Sequence, residues 1–257
     1  MKVDFNKYEG TGNDFVIIDN RSLSFPSGRE IIAGICHRRF GIGADGLILI
    51  EPSDEADFTM RYFNSDGNES TMCGNGGRCT AHFAMKHGIA KASMRFMAAD
   101  GIHHALVSDS VVNLSMSDVT GITGSGDTLF LNTGSPHLVM FVDDTGAVDV
   151  KSEGRRIRYS EQYAPDGTNV NFVSLREGKI VVRTYERGVE DETLSCGTGV
   201  TASAIASVVS GHFDSNHVMV ETRGGILSVS FRRDGPTARE IMLTGPATFV
   251  FSGEIEL

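Results

Sequence analysis

Two stretches of the chain place a thiol at a position where thiols become reactive. Cys73 opens CGNGGRCTAHFAMKHG and Cys196 opens CGTGVTASAIASVVSG. In both, a Cys-Gly-polar-Gly start leads into a run that a glycine closes fifteen residues after the cysteine (88 − 73 and 211 − 196). The pattern predicts two helices with a cysteine at each N-terminus. Such a terminus has unpaired N–H groups and the positive end of the helix dipole. A cysteine there has its pKa lowered, so a useful thiolate fraction exists near neutral pH. The same N–H groups hold a carboxylate, and glycines let that anion approach the backbone closely. Two helix starts meeting around one carboxylate would place a sulfur on each face of the neighbouring carbon. One thiolate then removes the α-proton while the opposite thiol donates a new one, inverting the centre. The helix ends stabilise the enolate-like charge that develops. A lone Cys-Gly at a helix start is usually a packing choice; a matched pair asks for a common explanation.

The remaining composition narrows the field. The 257 residues carry a net charge of −10, which argues against nucleic acid as a partner. No apolar run approaches the roughly 20 residues that span a bilayer, and MKVDFNKYEG carries charges where a signal peptide is apolar. A cytoplasmic protein without membrane association is expected. The cysteines Cys36, Cys73, Cys79 and Cys196 form no CxxC pair and no zinc-site spacing, so neither a metal nor a disulfide framework is expected. Cys36 and Cys79 read as small buried apolar residues.

The elements that must position the two thiols come as a repeat. Cys73 and Cys196 are 123 residues apart (196 − 73), and Gly101 and Gly224 keep the same offset. Upstream, RYFNSDGNESTMC parallels RTYERGVEDETLSC, and GNDFVIID at Gly12 resembles GSPHLVMFVDD at Gly134. A period this long means two duplicated domains rather than a solenoid. Their boundary is expected in the polar, glycine-rich stretch near Asp118 to Gly126, with the active site in the cleft between them. Each half reads mostly as short strands, such as FVIID, GLILIE and FTMRYFN in the first and HLVMFVDD, NVNFVSL and KIVVRTYE in the second. The best helices are 29–39, 75–86 and 199–209. The last is small or apolar nearly all round, which means burial. The expected fold class is therefore α+β, each half a twisted, mainly antiparallel sheet or barrel wrapped around a central helix. Upstream of each thiol lies a polar loop suited to recognition. In the second, Glu186 and Arg187 can grip an ammonium and a carboxylate, although an adjacent Glu-Arg is commonly just solvated surface.

At this point the residues resemble the diaminopimelate epimerase family, over nearly the whole chain: GTGNDFVIID, GIGADGL, FNSDGNESTMCGNGGRC, GSPH, TNVNFV and YERGVEDETLSCGTG. The resemblance implies a cofactor-independent enzyme that interconverts LL- and meso-diaminopimelate on the route to lysine and peptidoglycan precursors. It implies a pair of pseudo-symmetric domains, 1–118 and 119–244, with the C-terminal strand 245–257 returning to the first. Carried over by position, Cys73 and Cys196 match the acid/base thiols. Gly74, Asn75, Gly197 and Thr198 match the residues that bind the reacting carboxylate. Asn13, Asn64, Asn169, Glu186 and Arg187 match those that recognise the distal, unreacted centre. His137 and Ser135, in GSPH, are further candidates; a histidine buried for hydrogen bonding explains His137 equally well. Gly46 stands where many members carry a substrate-contacting glutamine, and Ser135 where many carry asparagine, so the distal end is expected to be held differently. A homodimer is the expected assembly.

Three other readings compete. A proline or hydroxyproline racemase of the same fold fits the two thiols, but a small cyclic amino acid has no distal charged centre for Glu186 and Arg187. A non-catalytic binding protein leaves the paired thiols without a purpose. A redox switch would use Cys73 and Cys196 as a disulfide, which for an epimerase is inactivation.

Overall fold

Alternating apolar runs become strands in both halves of the chain. The computed structural model of the protein describes residues 1–235 and 237–257. They form two units, Met1–Leu114 with Gly245–Leu257, and Ser115–Thr244.

The first unit begins with β1 (Lys2–Gly10), β2 (Asn13–Asp19) and α1 (Arg29–Cys36). It continues through β3 (Gly46–Glu51), β4 (Phe58–Asn64), the short β5 (Glu69–Ser70), α2 (Gly74–Lys86), β6 (Ser93–Ala98), β7 (Gly101–Ser108) and β8 (Val111–Ser115). Pairing runs β1–β2 antiparallel, β2–β3 parallel, β3–β4 antiparallel, β4–β6 parallel, then β6–β7 and β7–β8 antiparallel.

The second unit holds β9 (Thr123–Ser125), β10 (Thr128–Asn132), β11 (Pro136–Phe141), α3 (Val150–Arg158), β12 (Asn169–Arg176), β13 (Lys179–Glu186) and β14 (Asp191–Thr193). After these come α4 (Gly197–Val209), β15 (His217–Thr222), β16 (Gly225–Asp234) and β17 (Thr237–Pro246). Its pairings from β10 onward repeat the first unit's order: antiparallel, parallel, antiparallel, parallel, antiparallel, antiparallel. The duplication read in the sequence is thus a duplication of topology, and the fold is α+β with two pseudo-symmetric halves. The last strand, β18 (Thr248–Glu256), pairs antiparallel with β1.

Each unit surrounds one helix. In α2 a Cβ on Gly76 would meet Phe15, Ile48 and Met60 at 3.2–3.5 Å, and one on Gly77 would meet Leu114 at 2.9 Å and Phe96 at 3.6 Å. Strands therefore press on α2 from more than one side, and only glycine lets them come so close. The core of the second unit gathers Val200, Ile205 and Val208 of α4 with Leu129, Val139, Val173, Val182, Val220 and Leu243 from the strands. Each such side chain contributes about 1.5–3 kcal/mol by leaving water. The hydroxyls this helix must also bury bond to its own backbone: Thr201 to the Gly197 carbonyl, Ser203 to Gly199 and Ser207 to Ser203, at 2.7–2.9 Å. Among the described residues, no helix is long and apolar enough to cross a membrane.

The helix expected over 29–39 stops at Cys36, because the His37 ring accepts the N–H groups of Arg39 and Phe40 at 3.1 Å and turns the chain. Helix α3 was not expected. Its sequence, VKSEGRRIR, buries only Val150, Gly154 and Ile157. That narrow stripe leaves capping as the main signal: Asp149 accepts from the Ser152 N–H at 3.1 Å.

Candidate active site

Both cysteines occupy the position their glycines imply. Cys73 is the N-cap of α2 and Cys196 the N-cap of α4, each with extended backbone (φ −107° and −116°). Their carbonyls open the helices by accepting from Gly77 at 2.7 Å and from Val200 at 2.8 Å. Neither helix has an acidic residue in its first turn, so no carboxylate of that turn competes for the helix's first N–H groups. Gly74 and Gly197 are the first helical residues. None of the four cysteines is in a disulfide; Cys36, Cys79 and Cys196 are buried and Cys73 is half-buried, and burial pushes the Cys36 thiol up to about 12.

In the first unit the Cys73 sulfur lies 3.6 Å from Asn13 Oδ1, while Asn13 Nδ2 donates to Asp45 at 2.6 Å. Asp45 is itself bound by Arg38, which also pairs with Asp14; Lys7 pairs with Asp14 at 2.7 Å. Burial opposes ionisation of Asp14, but the hydrogen bonds from Arg38 and Lys7 win and hold its carboxyl below the usual range. Asn75 is buried in the first turn of α2, its Oδ1 accepting from Arg78 at 3.0 Å and from Thr11 at 3.3 Å. Those bonds fix the amide so that its N–H2 faces away from Arg78.

Arg78 is wholly buried and, among the described residues, has no carboxylate partner; it donates to Thr11, Asn75 and the carbonyls of Gly74 and Pro246. Burial works against its charge, yet a guanidinium does not give up its proton in practice. Asn64 ends β4, exposed, opposite Gly46 of β3.

The second unit brings more of its candidates into direct contact. Asn171 Nδ2 donates to His137 Nδ1 at 3.1 Å and to the Leu138 carbonyl, while its Oδ1 accepts from Thr184. An amide nitrogen only donates, so His137 carries its proton on Nε2 and gives it to Ser135 Oγ at 3.1 Å. Asn169 Nδ2 donates to the same oxygen at 3.1 Å. With two hydrogen bonds accepted, the Ser135 proton is left for Thr198 Oγ1 at 3.5 Å, and the Thr198 proton for the Cys196 sulfur at 3.4 Å. Asn169 Oδ1 accepts the Arg187 backbone N–H at 2.8 Å, and the guanidinium donates to the Asp166 carbonyl at 3.3 Å. Among the described residues, Arg187 forms no ion pair, whereas Arg183 and Arg158 are committed to Glu192 and Glu190. Glu186 ends β13 beside Arg187, half-buried.

His137 is wholly buried, and desolvation, helped by the nearby Arg187 charge, lowers its pKa to about 3. It is a neutral hydrogen-bonding residue at physiological pH. Its folded pKa lies below the unfolded value near 6.5, so between about 3 and 6.5 the unfolded chain binds the extra proton. The stability it leaves intact above pH 6.5 is therefore lost as pH falls, by about 1.4 kcal/mol per pH unit. Urea unfolding of the wild type and His137→Gln between pH 4.5 and 7 checks this: the wild type should show the steeper loss by about one proton. Equal slopes would mean that His137 is not buried neutral.

Asn171, Thr11 and Arg78 join the site only through the fold. Asn171 is a polar residue inside the otherwise apolar β12, which marks burial but not a partner; Thr11, in the turn after β1, and Arg78, in the glycine-rich start of α2, carry no such mark.

The fold, with its duplicated sheet around a helix, is the one seen in a phenazine biosynthesis protein of the PhzF family from Bacillus anthracis, at a TM-score of 0.80 over all of both chains with 16% identity. A hydroxyproline epimerase from Agrobacterium vitis, solved with trans-4-hydroxy-L-proline, shares it at a TM-score of 0.71 and 15% identity, over 99% of this chain and 91% of that one. Likeness at that level defines the fold alone. The sequence goes further: the diaminopimelate epimerase family model matches residues 5–119 and 129–250, and the Flavobacterium psychrophilum diaminopimelate epimerase is 51% identical over 97% of this chain and 98% of its own. The chain belongs to the diaminopimelate epimerase family and is an isomerase of the epimerase class.

Proposed function

We propose that the protein interconverts LL- and meso-2,6-diaminopimelate by two-base proton transfer at one α-carbon, in the biosynthesis of lysine and peptidoglycan precursors. The observation that carries the reading is the matched placement of Cys73 and Cys196 as N-caps of α2 and α4. One sulfur, as thiolate, takes the α-proton; the other, as thiol, delivers a proton to the opposite face. The charge that moves onto the substrate carboxylate is met by the N–H groups of Gly74, Asn75, Gly197 and Thr198. The hydroxyl chain from Ser135 through Thr198 supports the thiolate form of Cys196, because its last proton points at the sulfur.

The distal centre carries a second ammonium and carboxylate. Arg187, with no ion pair among the described residues, takes the carboxylate in a forked pair, and Glu186 takes the ammonium. Asn169 has both amide hydrogens committed, to Ser135 and the Pro136 carbonyl. It therefore acts by fixing Arg187 and offers the substrate only an oxygen lone pair, which suits an ammonium. Asn13 and Asn64 are the other two residues proposed to recognise the distal centre. A proline or hydroxyproline racemase would have no use for this distal set.

Incubation of the purified protein with LL-diaminopimelate, without added cofactor, tests the proposal. The meso isomer should accumulate to the same final ratio that is reached from meso starting material. Turnover of proline or 4-hydroxyproline with none of diaminopimelate would overturn it.

A further inference from the structure

A side chain that no part of this account has yet used lies across Gly46. Strand β3 pairs with β4 so that Gly46 faces Asn64 and Ile48 faces Tyr62, and β2 places Phe15 beside Gly46. Side chains alternate along a strand, so Gly46 and Ile48 share a face with Asn64, Tyr62 and Met60. That face is turned toward α2, whose Gly76 packs on Ile48, Met60 and Phe15. Asn13, two residues before Phe15, lies on the same face, and its side chain reaches the Cys73 sulfur.

A Cβ on Gly46 would stand 2.5 Å from Tyr62 Cε2 and 3.0 Å from the Tyr62 hydroxyl oxygen. The phenol thus fills the space that a side chain at residue 46 would take, and brings its hydroxyl over the first residue of β3. The ring is held by edge-to-face packing on Phe15, centroids 6.0 Å apart and planes at 75°. The residue is only half-buried.

We propose that Tyr62 is a substrate-binding residue whose hydroxyl donates to the distal carboxylate of the substrate, from the space above Gly46. The inference rests on the reaction proposed above. A phenol is neutral at physiological pH and offers one O–H donor at the end of a rigid ring, which suits one oxygen of a carboxylate. Asn64 and Asn13, on the same face, lie on either side of β3 to take neighbouring polar atoms. Gly46 itself cannot serve, because any side chain there would also meet the Phe63 carbonyl at 2.5 Å.

Tyr62→Phe removes one oxygen and keeps the ring on Phe15. A hydrogen bond to a charged group is worth enough that its loss raises KM for diaminopimelate by about 10- to 100-fold, with kcat changed far less. The diaminopimelate concentration that halves iodoacetamide labelling of Cys73 should rise by the same factor. Tyr62→Leu, which removes the ring as well, should raise KM at least as far. Unchanged KM and unchanged protection in Tyr62→Phe would overturn the assignment. So would a fall in kcat at constant KM, which would place the hydroxyl at the reacting centre. A wild type that turns over diaminopimelate beside an indifferent Tyr62→Phe overturns this inference alone; a wild type with no such turnover removes the function proposed above.

Discussion

Cys73→Ala and Cys196→Ala are each expected to lower epimerisation by about 10³-fold or more while the fold survives. Inversion needs a proton-transfer group on each face of the carbon, and one sulfur cannot serve both. Structural cost should be small. Neither thiol makes a side-chain cap bond to its helix, and the carbonyls that start α2 and α4 belong to the backbone, which alanine retains. Circular dichroism and urea unfolding should therefore match the wild type while turnover is lost. Cys79→Ala is the control: that thiol is buried in α2 away from the N-cap position, and its loss should leave epimerisation within a small factor of wild type. A Cys73→Ala or Cys196→Ala enzyme with near-normal turnover would end the two-base assignment.

Arg187→Met is expected to lower kcat/KM for diaminopimelate by about two to four orders of magnitude, from the 3–5 kcal/mol that leaving the bound substrate carboxylate without its partner costs. Among the described residues the guanidinium bonds only to the Asp166 carbonyl, while its backbone N–H is anchored by Asn169. Methionine keeps much of the stem and leaves that anchor in place, so the loss isolates the charge. Both Cys73 and Cys196 should still be alkylated by iodoacetamide at wild-type rates. An Arg187→Met enzyme with unchanged kcat/KM would remove the reason to prefer diaminopimelate over a smaller amino acid.

Much of this was legible in the chain because the decisive features are local. Glycines at 74, 76 and 77, and again at 197 and 199, mark helix starts that must approach something closely, and the repeat at 123 residues predicts two like units. Both follow from backbone physics that a short window contains. The polar helix α3 escaped because a stripe of Val150, Gly154 and Ile157 is too thin to stand out, and Gly154 is itself a poor helix former. It is glycine because a Cβ would meet the Tyr185 side chain, from its Cβ to the ring, at 2.3–2.9 Å, a fact of packing that no local pattern carries. Tyr62 escaped for a similar reason. Its partner, Gly46, lies sixteen residues away on the neighbouring strand (62 − 46), and only the register shows that one fills the space the other leaves. The hydroxyl chain that ends on Cys196 depends on the amide directions of Asn171 and Asn169, which are set by Leu138, Thr184 and Arg187. Those directions exist only in the folded unit.

The most direct measurement is the fate of the α-proton in deuterium oxide. LL-diaminopimelate is incubated with the protein, stopped within the first few per cent of conversion, and both isomers are analysed by mass spectrometry. With Cys73 and Cys196 acting from opposite faces, each meso molecule should carry one deuterium, delivered by the second thiol, while the recovered LL substrate stays unlabelled. Early meso product that keeps its original proton would mean that a single group removes and returns it, which would contradict the account.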